Sequence, residues 1–272
     1  MIKSIATFLD DPIRAERFLG DLARDAHDLG ASLDVTVLTA APMAGAEFGP
    51  LGTLYYAEAD LDHRAQDAIA AVRSIANGPA DALSVKGVYG DINWLAHDMH
   101  KTDDIVDLFV IGPSLIWQSG RLRRHVVENL LLGAGTPLLL LPALHRLPRI
   151  RRATLGWRQS AEAIRVARDL IALAEPGATI DIVTVGEAPG DAKTDQGRGM
   201  ADFLDRHDFL TQCHRIDDGR PAAEQLQDFA LKTRADLLAT GGFGHSRLRE
   251  IILGGVTRSL MSDPRLPVLM AR

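Results

Sequence analysis

Two strings, DLFVIG at 107–112 and DLLATG at 236–241, mark the same step in two copies of one pattern. The copies extend outward. TPLLLLP at 136–142 is echoed by LPVLMAR at 266–272, and SIATFLDDPIRAERFLGDLARDA is matched in pattern by RATLGWRQSAEAIRVARDLIALA. Each front segment reads as a short apolar strand, a polar turn and a helix with apolar residues every three to four positions. Ala15, Phe18, Leu19 and Leu22 share a face in the first helix, as do Ile164, Ala167, Leu170 and Ile171 in the second. A repeat at this scale makes the chain a tandem duplication. The domains are expected at 1–142 and 153–272, joined by ALHRLPRIRR at 143–152, where two prolines frame a basic connector.

Strand and helix alternate through both halves. Strands are expected near 3–9, 33–39, 84–88, 107–112 and 137–141, then near 153–157, 179–185, 212–216, 236–240 and 267–271. Helices are expected near 13–29, 60–77, 91–101 and 120–132, then near 160–174, 197–207, 220–233 and 247–262. Apolar strands alternating with helices imply a parallel sheet covered on both faces. Right-handed crossovers make each sheet open and doubly wound. The fold class is therefore α/β, with two tandem Rossmann-like domains of five parallel strands each. The last strands, Leu138–Leu141 and Val268–Ala271, are apolar edges through which the halves would face each other. The chain would then be a pseudo-dimer, able to pair again as a homodimer.

Ligands in such sheets bind beyond the carboxyl ends of the strands, where strand order switches. The loop after the fourth strand of the second half carries Gly241 and Gly244, the stretch 245–253, then Gly254 and Gly255. Glycine lets an external group approach main-chain N–H donors, so the set can cradle a polyphosphate beside a helix N-terminus. The glycines equally suit tight turns with no ligand. The first half has no such set. Arg124 or His125 falls where Gly254 and Gly255 stand in the second half, and a bulky side chain there would block the cradle.

Other chemistry finds little support. A formal charge of −6 argues against a nucleic-acid surface. Cys213 is the single cysteine, which rules out an internal disulfide and fits a reducing compartment. Its neighbour His214 has no second ligand pair at metal spacing. No run has the roughly 20 apolar residues of a membrane span, and MIKSIATFLDDP lacks a signal-peptide core, so a cytoplasmic location is expected. There is no phosphate-binding G-x-x-x-x-G-K-[ST] loop, no dinucleotide fingerprint and no G-x-S-x-G elbow. His245 beside Ser246 lacks a third catalytic partner.

Gly241-Gly242-Phe243-Gly244, nine residues, then Gly254-Gly255-Val256-Thr257, lying between a DLxxxG strand and a Pro-Val-Leu strand, resemble the universal stress protein fingerprint. Over nearly its whole length the chain resembles the tandem members of that family, including bacterial ones whose first halves lack the motif. The resemblance implies a stress-associated protein that binds ATP, with or without Mg²⁺, in its second half. It would act as a sensor or regulator and not as a dedicated catalyst; weak ATP hydrolysis stays open. Phosphates would lie against Gly241, Gly244, His245, Ser246, Gly254, Gly255, Val256 and Thr257. Adenosine would lie against Trp157, Ser160 and Val185. No metal ligand set is assigned; Asp217 and Asp218 are the nearest carboxylates and would otherwise cap the next helix.

Two positions depart from the family pattern. Gly255 stands where a hydroxyl residue is usual, and Arg158 where an aspartate is usual; the first half keeps Asp10 there. Arg158 could meet a phosphate bidentately or stand solvated at a helix start. Two alternatives to nucleotide binding follow. One is a nucleotide-independent module that docks a protein partner, with the segment at 41–63 as its surface. The other is a small-molecule enzyme on the same sheet.

Overall fold

The computed structural model describes residues 2–40, 47–48, 54–55, 58–76, 82–90, 95, 105–133, 135–186, 197–242, 255–262 and 264–272. The chain divides into two compact units, Lys3–Ala134 and Gly135–Arg272, with Met1–Ile2 belonging to the latter.

In the first unit β1 (Ser4–Leu9), α1 (Glu16–Leu29), β2 (Ser32–Ala40), α2 (Glu58–Ala76), β5 (Leu83–Gly90), β6 (Leu108–Ile111) and α3 (Gly120–Gly133) follow one another. A small antiparallel hairpin of β3 (Glu47–Phe48) and β4 (Leu54–Tyr55) falls within the 41–63 segment. The main sheet runs β6-β1-β2-β5, all parallel. The first helix buries Phe18, Leu19 and Leu22 as its periodicity predicts. It stops at Gly30, whose φ of 62° only glycine adopts freely and whose N–H reaches the Ala26 and His27 carbonyls.

The second unit comprises β7 (Leu138–Leu140), β8 (Arg152–Gly156), α4 (Ala161–Leu173), β9 (Thr179–Val185), α5 (Arg198–Asp205), β10 (Leu210–Ile216), α6 (Ala222–Lys232), β11 (Leu237–Gly241), α7 (Gly255–Ser262) and β12 (Val268–Ala271). Its order is β10-β9-β8-β11-β12-β7. Five strands are parallel. The sixth, β7, comes from the end of the first repeat and runs antiparallel to β12, with Leu140 opposite Val268 and Leu138 opposite Met270. Both units are thus doubly wound parallel sheets of the expected class.

One device recurs in both units. Asp107, just before β6, accepts the main-chain N–H groups of Lys3 and Ser4 at 2.6 and 3.0 Å. Asp236, just before β11, accepts those of Arg151 and Arg152 at 2.8 and 2.9 Å. Each aspartate satisfies donors at the start of the neighbouring central strand, which explains why the repeated string begins with Asp-Leu. In the second unit a further polar group ties three strands together. The fully buried Asp181 carboxylate on β9 binds Arg152 of β8 through two bonds of 2.8 and 3.1 Å, and His214 Nε2 of β10 at 2.9 Å.

Helix α4 corrects one sequence reading. The residues it buries are Ala163, Val166, Ala167 and Leu170. Ile164, expected on that face, is 37 % exposed. The apolar face is rotated by one position because Ala163 meets β11. The expected helix near 91–101 lies outside the described residues except for Leu95, and of the helix expected at 247–262 the part from Gly255 is described. No described helix is long and apolar enough to cross a membrane.

Candidate functional site

Strand order in the second unit switches between β8 and β11, whose carboxyl ends are Gly156 and Gly241. A cleft of about 320 Å³ opens there, within the roughly 300–1,000 Å³ usual for small-molecule sites. Trp157, Ser160, Val185, Gly241, Gly255, Val256 and Thr257 all line it. These are the site residues expected from sequence that fall among the described ones. Gly244, His245, Ser246 and Gly254 lie outside the described residues.

The two described glycines of the set differ in what they do. A Cβ on Gly241 would lie 2.8 Å from the Ala163 nitrogen and 2.9 Å from the Glu162 carbonyl carbon. Gly241 is therefore required by the first turn of α4, which presses on the end of β11. A Cβ on Gly255 would meet nothing within 4 Å. At Gly255, the first described residue of α7, no described atom stands in the way of a ligand in the cleft. Thr257, next in that turn, is 5 % exposed.

The side of the cleft expected to hold adenosine is built by β8, β9 and the start of α4. Trp157 continues the β8 ladder, donating its N–H to the Val183 carbonyl at 2.8 Å. Ser160 is the N-cap of α4, and its hydroxyl oxygen accepts the Ala163 N–H at 3.2 Å; the hydroxyl proton stays available to a ligand. Sequence reading missed Gly156, Thr240, Ala222 and Leu226, which also line the cleft. Leu226 closes it because a Cβ on Gly156 would stand 3.1 Å from its Cδ1. That contact joins helix α6 to β8, and no local pattern in either segment signals it.

Arg158 lines the cleft and is exposed. The strand registers fix its counterpart. Ile5 pairs with Leu108 in the first unit and Ala153 with Leu237 in the second, so five residues on, Asp10 corresponds to Arg158. The counterparts do opposite things. Asp10 accepts the Gln118 and Ser119 N–H groups at 2.8 Å each, at the start of α3. Burial raises its pKa, opposed by those two backbone bonds. The first unit thus supplies its own carboxylate to the helix after its fourth strand. The second unit places a guanidinium at that position, and no described residue offers a carboxylate to the N-terminus of α7.

In the first unit the space against Gly112 is occupied. Ile116 and Trp117, in a short turn of 3₁₀ helix after β6, are buried. The Ile116 Cδ1 stands only 2.5 Å from where a Cβ on Gly112 would be. Arg123, 4 % exposed, donates Nε to the Gly112 carbonyl at 3.1 Å. Burial pulls its pKa down to about 10. The filling comes from these side chains; Arg124 and His125, singled out by sequence alignment of the halves, are exposed and half-buried on α3.

Asp217 and Asp218 do not cap α6, whose N-cap is Pro221 without a side-chain bond. Asp217 accepts the Gly219 N–H at 3.2 Å, and Asp218 is gripped by Arg220 at 2.5 and 3.0 Å. Among the described residues no three His, Cys, Asp or Glu side chains gather as a metal site would require.

The model of the universal stress protein family matches residues 153–272, the stretch that forms this cleft. This half is similar to a universal stress protein domain. Across 225 residues the chain is 22 % identical to Universal stress protein Slr1230 of Synechocystis, covering 80 % of this chain and 76 % of that one. A universal stress protein of Archaeoglobus fulgidus DSM 4304 superposes with a TM-score of 0.68 at 15 % identity, over 98 % of this chain and 96 % of the other. A protein of unknown function from Pseudomonas aeruginosa PAO1 superposes with a TM-score of 0.52 at 14 % identity, over 99 % and 92 %. At these identities the structural likeness is one of fold. It extends that fold to the first half, which the family model does not cover.

Proposed function

We propose that the universal stress protein domain binds an adenine nucleotide, ATP in the first instance, in the cleft between β8 and β11, and that binding acts as a conformational signal. One observation carries the reading: Gly255, Val256 and Thr257 of α7 line one cleft with Arg158, which stands where the first unit has a carboxylate. An anion would complement that guanidinium. The cation and the helix end would act on the phosphates together, since each favours negative charge and Arg matches phosphate oxygens in a planar fork. Trp157 and Val185 offer apolar surface to a base, and the Ser160 and Thr257 hydroxyls offer donors.

The filled space in the first unit supports one site per chain. The ligand's own contribution is charge and bulk that tie β8, β9 and α7 together; the protein's residues bind and orient it. The test is to denature purified protein and analyse the supernatant for adenine nucleotide, alongside thermal unfolding with millimolar ATP–Mg²⁺. Recovered nucleotide or a raised melting temperature is expected. Neither one would leave the cleft without this ligand and favour the partner-docking alternative.

A further inference from the structure

A second cavity lies on the other side of Trp157. It is a half-open groove of about 820 Å³ between α4 and α5, lined also by Thr184 near the end of β9. It is more than twice the volume of the proposed nucleotide cleft, and among the described residues only Trp157 and Arg158 line both. We infer that this groove is a second ligand site, for a small organic anion with an aromatic body.

The charge is the first ground. Arg158 follows β8, Arg168 projects from α4, and Arg206 closes α5; the three come from separate segments and line one groove. None of their guanidinium groups makes an ion pair or hydrogen bond among the described residues. Four other arginines of this unit find carboxylates: Arg151 pairs with Glu175, Arg152 with Asp181, and Arg220 and Arg265 with Asp228. Asp205, beside Arg206 in sequence, instead accepts the Thr211 hydroxyl at 2.6 Å. Three guanidinium groups with no partner among the described residues, on one concave surface, are notable in a chain of net charge −6, because like charges repel unless an anion joins them.

The apolar walls are the second ground. Phe203 and Trp157 are half-buried in the groove, Met200 forms buried floor beneath them, and Ile164 is the residue that helical periodicity assigns to the core. An isoleucine left 37 % exposed on a groove wall gains apolar contact only when something covers it. Aromatic rings beside guanidinium groups accept a planar body that stacks while its acid group meets the cations.

The floor is also kept open by backbone. Gly197 has φ of 104°, and a Cβ there would stand 3.1 Å from Ile182 Cγ2 and 3.7 Å from Trp157 Cδ1. A side chain at 197 would strain the turn and crowd the ring that divides the two cavities. The floor thus stays shallow enough for a ligand. Acidic groups on the same helix, Asp202 and Asp205, are not among the groove's lining residues.

The test uses the full chain and 8-anilinonaphthalene-1-sulfonate, a fused aromatic sulfonate that fluoresces when desolvated. Saturable binding at one site is expected, weakening as salt is raised. The uncharged analogue N-phenyl-1-naphthylamine should bind at least tenfold more weakly. The double variant R168E/R206E should also lose tenfold or more, with R168Q/R206Q falling between. Both residues are exposed, so circular dichroism and melting temperature should match the parent, and the parent's response to ATP should persist because neither residue lines the nucleotide cleft. Equal binding of the neutral analogue, an unchanged affinity in both double variants, or no saturable binding overturns the inference. Loss of the ATP response together with the dye signal would also overturn it, since the dye would then occupy the other cleft. The ATP measurement and the dye measurement can fail separately, so the two sites are judged independently.

Discussion

Replacing each of the two described glycines by alanine should separate a glycine that the fold needs from one that a ligand needs. At Gly241 the new methyl would lie 2.8 Å from the Ala163 nitrogen and 2.9 Å from the Glu162 carbonyl carbon, against 3.4–4 Å for ordinary contact. The obstacles are backbone atoms in the first turn of α4, which cannot rotate away as a side chain tip does. Either α4 shifts by about half an ångström or β11 does, and the Ser160 cap lies in the same turn. Overpacking of this kind costs about 1–3 kcal/mol. At about 2–4 °C per kcal/mol for chains of this size, the melting temperature should fall by roughly 2–12 °C. Gly255→Ala meets no described atom within 4 Å and lies in a helix, in whose interior alanine is favoured by up to about 1 kcal/mol. Its melting temperature should hold or rise by a few degrees, while affinity for ATP drops as the methyl enters the path to the α7 N–H groups. Differential scanning calorimetry of the two variants, with and without ATP, reads both effects. A Gly241→Ala protein as stable as the parent, or a Gly255→Ala protein that loses stability but keeps ATP affinity, would refute the assignment.

Further perturbations test the framework that holds the cleft. Asp181→Asn leaves Arg152 and His214 without their carboxylate; both are partly exposed, so the loss should fall at about 2–3 kcal/mol, below that of a wholly buried pair, read as a lower urea midpoint with unchanged slope. Donation from the Lys3 N–H, then from Ser4, holds the Asp107 carboxyl below its ordinary 3.8. Its stabilising contribution is present above the unfolded value and is lost as pH falls through the folded one. The stability gap between the parent and Asp107→Asn should therefore be constant above about pH 5 and shrink below about pH 4; a gap that widens on acidification would contradict the sign. Ser160→Ala removes the α4 cap and should cost about 1 kcal/mol, measurable as a drop of a few degrees in melting temperature.

The alternation of strands and helices was legible because each buried strand and each one-sided helix leaves its period in the chain. The Asp-Leu strings were legible for a physical reason: both aspartates hold the same pair of N–H groups at the head of the neighbouring strand. Gly255, Val256 and Thr257 were found from glycine spacing, and the cleft gathers them. What periodicity did not carry was contact between distant segments. Ile164 reads as core by spacing alone, yet the groove between α4 and α5 leaves its side uncovered. Gly241 reads as a phosphate glycine, yet its close neighbours are the backbone of α4. Ile116 reads as part of an ordinary loop after β6, and only folding brings it against Gly112. The role of Asp10 was hidden in the same way, since its partners Gln118 and Ser119 are more than 100 residues away in sequence.

Isothermal titration of the full chain with ATP–Mg²⁺ addresses the central claim most directly, because it reports affinity and the number of sites together. The account predicts one ATP per chain, with binding abolished by Gly255→Val. Two equivalents per chain would mean that the space filled by Ile116 and Trp117 is not closed to nucleotide, and no heat at millimolar ATP would mean that Gly255 and Arg158 face some other anion.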